Sequence, residues 1–138
     1  MRLLLDTCVI IDWLTDADPF ERNVWDILND PDTKLYVSAE TARELIVSFN
    51  NKKLLSKYWK TAEEMLVAMK EEAMVDILPI SERTMFTYSR LTLNEAQDHR
   101  DPSDHVIIAH AITERLTLLS SDQKFAFYRS QGLELIEY

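Results

Sequence analysis

The chain alternates short apolar runs with stretches of helical periodicity, and this alternation restricts its fold more than any other feature. Arg2–Leu5 ends in three leucines, which is typical of a strand buried on both faces. Further strands are predicted at KLYVS (Lys34–Ser38), VDILPI (Val75–Ile80), TLLS (Thr117–Ser120) and LELIEY (Leu133–Tyr138). Because helical segments separate these strands, the pattern predicts an α/β fold with a central parallel sheet and helices on both faces.

The helical segments are predicted from apolar residues that recur every three or four positions. The shorter ones are Thr7–Leu14, a helix opened by Pro19–Phe20, Glu40–Phe49, Ser81–Leu91, Asp104–Arg115 and Gln123–Tyr128. One long helix is predicted from about Lys53 to Ala73. A single glycine and four prolines leave little room for a flexible linker, so we expect one domain over residues 1–138.

Charge, cysteine content and hydropathy exclude several classes of protein. The net charge of −9 argues against broad attraction to a polyanion, unless local positive charge reverses the field. The only cysteine, Cys8, excludes an internal disulfide and is expected to be a small buried thiol. No apolar segment approaches the ~20 residues that cross a bilayer, and MRLLLD is too short and too soon acidic for a signal peptide. We therefore expect a cytoplasmic protein with no membrane partner.

Acidic residues fall where the carboxyl ends of the strands are expected. Asp6 ends the first strand, Asp122 follows TLLS by two residues, and Glu44 lies one and a half turns into the helix after KLYVS. Parallel α/β sheets bind their ligands outside the carboxyl ends of the strands. These three acids therefore become candidates for one site.

The stretch HRDPSDHVIIAHA (His99–Ala111) adds two more acids. Asp101 is a good N-cap with Pro102 at the first helical position, and Asp104 in the first turn favours the positive end of the helix dipole. Asp104 is also aligned with the inward-facing stripe of this helix, and an inward carboxylate needs a partner or a metal ion. Helix capping and metal binding both remain open for Asp104 at this point.

Clustered carboxylates would need cations or protons among them. Two carboxylates ~5 Å apart repel by about 3 kcal/mol at an effective dielectric of ~20. All-oxygen ligands favour Mg²⁺ or Mn²⁺ over zinc, and such an ion would also supply local positive charge. No HxxxH spacing exists among the three histidines, so no zinc site is predicted. His99 and His105 are expected at surface or capping positions, with an approach to substrate as the alternative.

Four segments together resemble a known family. They are LLLDTCVIIDWL (Leu3–Leu14), DPDTKLYVSAETAREL (Asp30–Leu45), HRDPSDHVIIAHA and LTLLSSDQKF (Leu116–Phe125). The chain resembles the PIN-domain family, and within it most resembles the ribonuclease toxins of VapBC-type toxin–antitoxin systems. This resemblance implies a three-layer α/β/α PIN-like domain and RNA hydrolysis that depends on Mg²⁺ or Mn²⁺. It also implies a VapB-like protein antitoxin and a homodimer.

The resemblance assigns roles to individual residues. Those that match the catalytic and metal-binding acids are Asp6, Glu44, Asp104 and Asp122. Thr7 and Ser120 match small hydroxyl residues of the same pocket, although the family usually has threonine where Ser120 stands. Glu40, one turn earlier, is a rival for Glu44, and we favour Glu44 because REL matches the family's usual ending. Asp101 is given a supporting role.

Other residues are candidates for binding partners. Lys53, Lys57 and Lys60 fall at helical spacing and are either RNA contacts or a solvated helix face. Trp13, Trp25 and Trp59 are expected in the core or at an interface, and Tyr58 or Trp59 is a candidate antitoxin contact. Two other functions remain open, namely a housekeeping PIN-domain nuclease and an inactive binding module with the PIN fold.

Overall fold

A five-stranded parallel sheet forms the centre of the protein, as seen in a computed structural model that describes residues 1–51 and 54–138. The strands are β1 (Arg2–Leu5), β2 (Lys34–Ser38), β3 (Val75–Leu78), β4 (Thr117–Ser120) and β5 (Glu134–Glu137). Their order is β3-β2-β1-β4-β5, and every neighbouring pair is parallel. The predicted parallel sheet is therefore confirmed.

Helices cover both faces of the sheet and complete three layers. They are α1 (Thr7–Thr15), α2 (Arg22–Leu28), α3 (Ala39–Asn50), α4 (Ala62–Glu71), α5 (Glu82–Arg90) and α6 (Pro102–Glu114). Shorter 3₁₀ segments occupy Leu54–Lys57, Glu95–Gln97 and Gln123–Gln131. Since α1 to α4 pack on one face and α6 on the other, the three-layer α/β/α prediction is also confirmed.

The central strand β1 joins two hydrophobic cores. Leu3 and Leu5 point into the core beneath α1 to α4, whereas Leu4 points into the core beneath α6. All three side chains are fully buried, and each contributes about 1.5–3 kcal/mol by leaving water. The leucine run therefore fixes β1 at the middle of the sheet, with both faces covered.

The strand order creates a crevice between β1 and β4. The chain leaves β1 towards β2 on one side and returns on the other side at β4, where Leu5 lies beside Leu119. Ligands of open α/β sheets bind at such a switch point, outside the carboxyl ends of the two strands. The residues that follow Leu5 and Leu119 are consequently the first to consider for a site.

The single long helix predicted from Lys53 to Ala73 is wrong. A 3₁₀ turn at Leu54–Lys57 is followed by a break, and α4 begins only at Ala62. Thr61 caps α4 by accepting a hydrogen bond from the Glu64 N–H at 3.1 Å, and this cap sets the start of the helix. Lys53 lies outside the described residues.

Within residues 1–51 and 54–138, no helix combines the length and apolar character needed to span a bilayer.

Candidate metal centre

Asp6 occupies the crevice directly after β1. Its carboxylate accepts hydrogen bonds from the Thr7 N–H at 2.8 Å and from the Ser120 hydroxyl at 2.7 Å. The Cys8 thiol donates a further, longer bond of 3.4 Å, and burial raises the pKa of that thiol to about 11, so that it stays protonated. Cys8 is only partly buried, in contrast to the predicted buried thiol. Asp6 is thus both the N-cap of α1 and a buried carboxylate, with 4% of its surface exposed.

Glu44 approaches the same crevice from α3. The Thr7 hydroxyl donates to Glu44 Oε1 at 2.7 Å and lies 3.0 Å from the Thr41 hydroxyl. Because the Thr7 proton is committed to Glu44, Thr41 is the donor to Thr7. Thr7 therefore connects the two acids, because its backbone N–H binds Asp6 and its hydroxyl binds Glu44. This is the arrangement expected of a residue that lines a shared pocket.

Asp104 and Asp122 complete the group of acids. Asp122 follows β4, and its backbone N–H donates to the Ser120 hydroxyl at 3.0 Å. Asp104 lies in the first turn of α6, where His99 Nε2 is 3.0 Å from Asp104 Oδ2. One ligand atom from each of His99, Asp104 and Asp122 lies within 4.8 Å of the others, a spacing that one metal ion can bridge.

The electrostatics of these acids show how closely they gather. Burial and, in decreasing order, the charges of Asp6, Asp101, Asp122 and Glu44 together raise the pKa of Asp104 to about 8. Burial also raises the pKa values of Asp6 and Glu44, with smaller contributions from neighbouring carboxylates. The four predicted acids therefore lie around one site and destabilise one another when all are ionised.

The donor set fits a hard divalent cation. Four carboxylates offer only oxygen ligands, which Mg²⁺ and Mn²⁺ prefer. A cation among them would reverse the mutual repulsion that raises the pKa of Asp104. The residues that would hold it are Asp6, Glu44, Asp104 and Asp122.

Glu40, the rival of Glu44, belongs to a different network. Its carboxylate pairs with Arg43 and accepts a hydrogen bond of 2.7 Å from the Ser103 hydroxyl. The Arg43 guanidinium also donates to Ser103 at 3.0 Å, and the hydrogen bond from Arg43 holds the pKa of Glu40 below its usual range. This network ties α3 to α6, whereas Glu44 forms no ion pair with any of the described residues and faces the other acids.

Asp101 has the capping role that the sequence predicts. Its side chain accepts a hydrogen bond of 2.9 Å from the Ser103 N–H, and Pro102 follows as the first residue of α6. The Asp101 charge also raises the pKa values of Glu44 and Asp104, so this cap lies at the border of the site.

The structure does not place Lys57 and Lys60 on one helix, as the predicted helical spacing required. Lys57 ends a 3₁₀ turn and Lys60 precedes α4, so the two exposed side chains do not share one helical face. Both line a surface depression together with Tyr58 and Trp59. Trp59 is partly buried and packs against the core beneath α1 to α4, as do Trp13 and Trp25, in agreement with the prediction.

The expected surface or capping positions of His99 and His105 are wrong. His99 and His105 are 3% and 2% exposed, and His105 Nε2 donates to the His99 carbonyl at 2.9 Å. His99 Nδ1 lies 2.9 Å from the Tyr128 hydroxyl, which is fully buried. The sequence carries no local signal for this contact because 29 residues separate the two side chains.

The family model of the PIN domain matches residues 3–130, and the chain belongs to this family. Solved structures with the same fold include chains of toxin–antitoxin complexes. A chain of VapBC-1 from nontypeable Haemophilus influenzae superposes with a TM-score of 0.76 and 21% identity, covering 99% of this chain and 98% of that chain. A chain of VapBC2 from Rickettsia felis, bound to a DNA fragment from its promoter, superposes with a TM-score of 0.74 and 19% identity, with the same coverage of both chains.

A chain of FitAcB from Neisseria gonorrhoeae has the highest identity of these three, at 25%, with a TM-score of 0.67. The match covers 98% of this chain and 96% of that chain. A comparison of the sequence with curated proteins gives no significant match. The similarity to solved structures is therefore one of fold over essentially the whole chain.

Proposed function

We propose that this protein is a metal-dependent endoribonuclease that hydrolyses RNA phosphodiesters and acts as the toxin of a type II toxin–antitoxin system. The observation that carries the proposal is the convergence of Asp6, Glu44, Asp104 and Asp122 at the β1/β4 crevice of a PIN domain. A bound Mg²⁺ or Mn²⁺ would activate a water molecule and stabilise charge on the attacking and leaving oxygens of the phosphodiester.

The protein's own contribution is to hold the carboxylates in place. Ser120 and the Thr7 N–H orient Asp6, and the Thr7 hydroxyl orients Glu44. The Asp122 carboxylate accepts a hydrogen bond of 2.9 Å from the Lys124 N–H, which fixes it at the opposite side of the crevice. No side chain is required as a covalent nucleophile.

Positive charge near the site would attract the RNA backbone despite the net charge of −9. Burial lowers the pKa of His99, and the charge of the exposed Lys124 lowers it as well, so a positive charge lies near this part of the site. Lys57 and Lys60 remain candidates for contact with RNA farther along the surface. Lys53, which lies outside the described residues, remains a candidate from the sequence alone. Each lysine that neutralises a phosphate would make binding weaker at higher salt.

The activity is tested with Asp6→Asn and Asp104→Asn, each of which removes one carboxylate with little change in shape. We expect Mn²⁺-dependent cleavage of RNA by the wild type and a loss of at least about 100-fold in either variant. The matched control is Asp26→Asn, which removes an exposed carboxylate on α2 and is expected to leave cleavage unchanged. Equal activity in the wild type, Asp6→Asn and Asp104→Asn would refute the site.

The toxin assignment rests on the fold shared with chains of VapBC complexes and on a suitable surface. Two neighbouring depressions meet at Trp59, and Tyr58 beside it is 51% exposed. We propose that a VapB-like antitoxin covers this surface. Tyr58→Ala is a better test of antitoxin binding than Trp59→Ala. Trp59 also packs against the core, so that its removal would lower the stability of the protein.

Expression in a bacterial cytoplasm, where we propose that the protein acts, tests the biological role. We expect growth inhibition by the wild type, no inhibition by Asp6→Asn, and rescue by a cognate antitoxin encoded beside the gene. Cleavage without growth inhibition would instead favour the housekeeping nuclease, and metal-independent RNA binding without cleavage would favour the inactive module. The proposed homodimer is tested by sedimentation of the purified chain.

A further inference from the structure

We propose that His99 is a positioning residue for Asp104, with its tautomer set by Tyr128, so that its Nε2–H group fixes the carboxylate that binds the divalent cation. This inference rests on the proposed metal-dependent function. It assigns a role to three buried residues, His99, Tyr128 and Asn94, that lie behind the acids and do not belong to the carboxylate set.

The direction of the hydrogen bonds follows from the first donor in the series. The Asn94 backbone N–H can only donate, and it donates to the Tyr128 hydroxyl oxygen at 3.1 Å. The Tyr128 proton is then available for His99 Nδ1, which lies 2.9 Å away. With Nδ1 accepting, the neutral imidazole carries its proton on Nε2 and donates it to Asp104 Oδ2 at 3.0 Å.

The opposite tautomer is disfavoured by the same geometry. If Nδ1 carried the proton, the Tyr128 oxygen would accept two N–H groups and its own proton would lose the His99 acceptor. When a cation is bound and Asp104 is ionised, the lone pair of His99 Nε2 would then face a carboxylate oxygen. A buried hydroxyl without an acceptor and two facing lone pairs both cost free energy, so the network selects the Nε2–H form.

The His99 ring is held rigidly from several directions. Its backbone N–H donates to the Asn94 carbonyl at 3.1 Å, and its carbonyl accepts the His105 Nε2–H at 2.9 Å. The ring packs edge-on against His105, with 4.8 Å between centroids, and against Phe125 at 5.5 Å. A donor fixed in this way restricts the rotation of the Asp104 carboxylate and leaves its second oxygen for a cation.

Partners of this kind tune metal sites by a measurable amount. Hydrogen bonds to metal-binding groups orient them, and the loss of one typically costs 10–100-fold in metal affinity. Tyr128 is fully buried, and hydrogen bonds link its hydroxyl to Asp104 through His99. An effect of Tyr128 on metal affinity would therefore report the tautomer of His99 rather than a direct contact.

Calorimetric titration of the 138-residue chain with Mn²⁺ tests this inference independently of RNA cleavage. We expect Tyr128→Phe, which removes only the hydroxyl, to weaken Mn²⁺ binding about 10-fold, and His99→Leu to weaken it 10–100-fold. His99→Gln, which keeps an N–H donor in place of Nε2, should recover most of the affinity. The matched control is Tyr36→Phe, which removes a phenol hydroxyl on β2 whose ring lies 5.8 Å from the Arg2 guanidinium, at the end of β1 opposite Asp6, and should leave affinity unchanged.

Circular dichroism identifies a temperature at which every variant is folded. A loss of Mn²⁺ binding at that temperature then cannot be attributed to unfolding. Electron spin-echo envelope modulation of bound Mn²⁺ gives a second readout, because it detects nitrogen atoms coordinated to the ion. We expect no directly coordinated nitrogen. Wild-type affinity in Tyr128→Phe would overturn the inference, and so would a directly coordinated imidazole nitrogen, because His99 would then be a ligand. Mn²⁺ binding without RNA cleavage would instead overturn only the proposed function, whereas a wild type that does not bind Mn²⁺ would overturn both.

Discussion

The Ser120 hydroxyl donates a hydrogen bond of 2.7 Å to Asp6 Oδ2, across the crevice between the central strand β1 and its neighbour β4. These residues are 114 positions apart in the sequence, yet each follows directly on the fully buried leucines of its strand. The sheet order thus converts two unrelated segments into one corner of the candidate metal centre.

Removal of the Ser120 hydroxyl should loosen this corner. In Ser120→Ala, Asp6 loses its shortest hydrogen bond, which is buried, and the Asp122 N–H loses its acceptor in a partly buried setting. We expect the free energy of unfolding to fall by about 1–3 kcal/mol and Mn²⁺ affinity to fall about 10-fold. Ser120→Thr keeps the hydroxyl and should bind Mn²⁺ as the wild type does. Equal Mn²⁺ affinity in Ser120→Ala and the wild type, measured by calorimetry, would speak against this role.

Two glutamates one turn apart on α3 should respond differently to the same change. Glu44→Gln removes from the site a carboxylate that forms no ion pair within residues 1–51 and 54–138, and we expect Mn²⁺ affinity to fall at least about 10-fold with no loss of stability. Glu40→Gln removes a partner of the half-exposed Arg43, so it should cost less than about 1 kcal/mol of stability and leave Mn²⁺ binding intact. Calorimetry and urea unfolding of both variants decide which glutamate belongs to the metal centre. Loss of Mn²⁺ binding in Glu40→Gln, but not in Glu44→Gln, would assign that role to Glu40.

Metal affinity should depend on pH through Asp104. The cation needs the ionised carboxylate, whose pKa is raised to about 8, so each pH unit below 8 should weaken Mn²⁺ binding about 10-fold. Titrations between pH 6 and pH 8.5 in buffers of different ionisation enthalpy would count the protons released. About one proton should leave per bound ion at pH 6.5. An affinity that is constant from pH 6 to pH 8 would contradict the raised pKa.

The same carboxylate should destabilise the metal-free protein at higher pH. Its pKa is raised on folding from the ordinary 3.8, so the folded state holds the proton more tightly and the free energy of unfolding falls as pH rises through about 8. Asp104→Asn removes this penalty. We expect it to raise the free energy of unfolding by about 1–3 kcal/mol at pH 8.5, with the gain vanishing near pH 4. Urea unfolding in the presence of a chelator measures this, and a destabilised Asp104→Asn at pH 8.5 would be the contrary result.

The parts of the fold that the sequence predicts are those where local and global signals agree. The leucines of β1 form an apolar run that suits only a strand with both faces covered, and the structure buries all three. The DPSD segment contains its own capping residue and first-turn proline, so the capping pattern correctly predicts the start of α6 at Pro102, whereas the predicted range Asp104–Arg115 begins two residues too late. Acids placed after predicted strands could be brought together by the sheet rule alone.

Two features were not predicted from the sequence. The start of α4 depends on a capping signal that competes with the apolar periodicity, and the burial of His99 depends on contacts with residues distant in the sequence. The apolar periodicity around Lys57 continues across the true helix start, but the cap at Thr61 determines where α4 begins. The sequence T-A-E-E does contain that signal, with Glu64 three residues after Thr61. The burial of His99 has no comparable signal, because it follows from the packing of Tyr128 and Phe125 around the loop that precedes α6.

Anomalous diffraction from crystals grown with Mn²⁺ tests the central claim most directly. We predict a manganese peak in the β1/β4 crevice with carboxylate oxygens of Asp6 and Asp104 about 2.0–2.3 Å away, and no peak there in Asp6→Asn. A wild-type crystal with an empty crevice, or with manganese bound only elsewhere on the surface, would contradict the claim that these distant acids share a divalent cation.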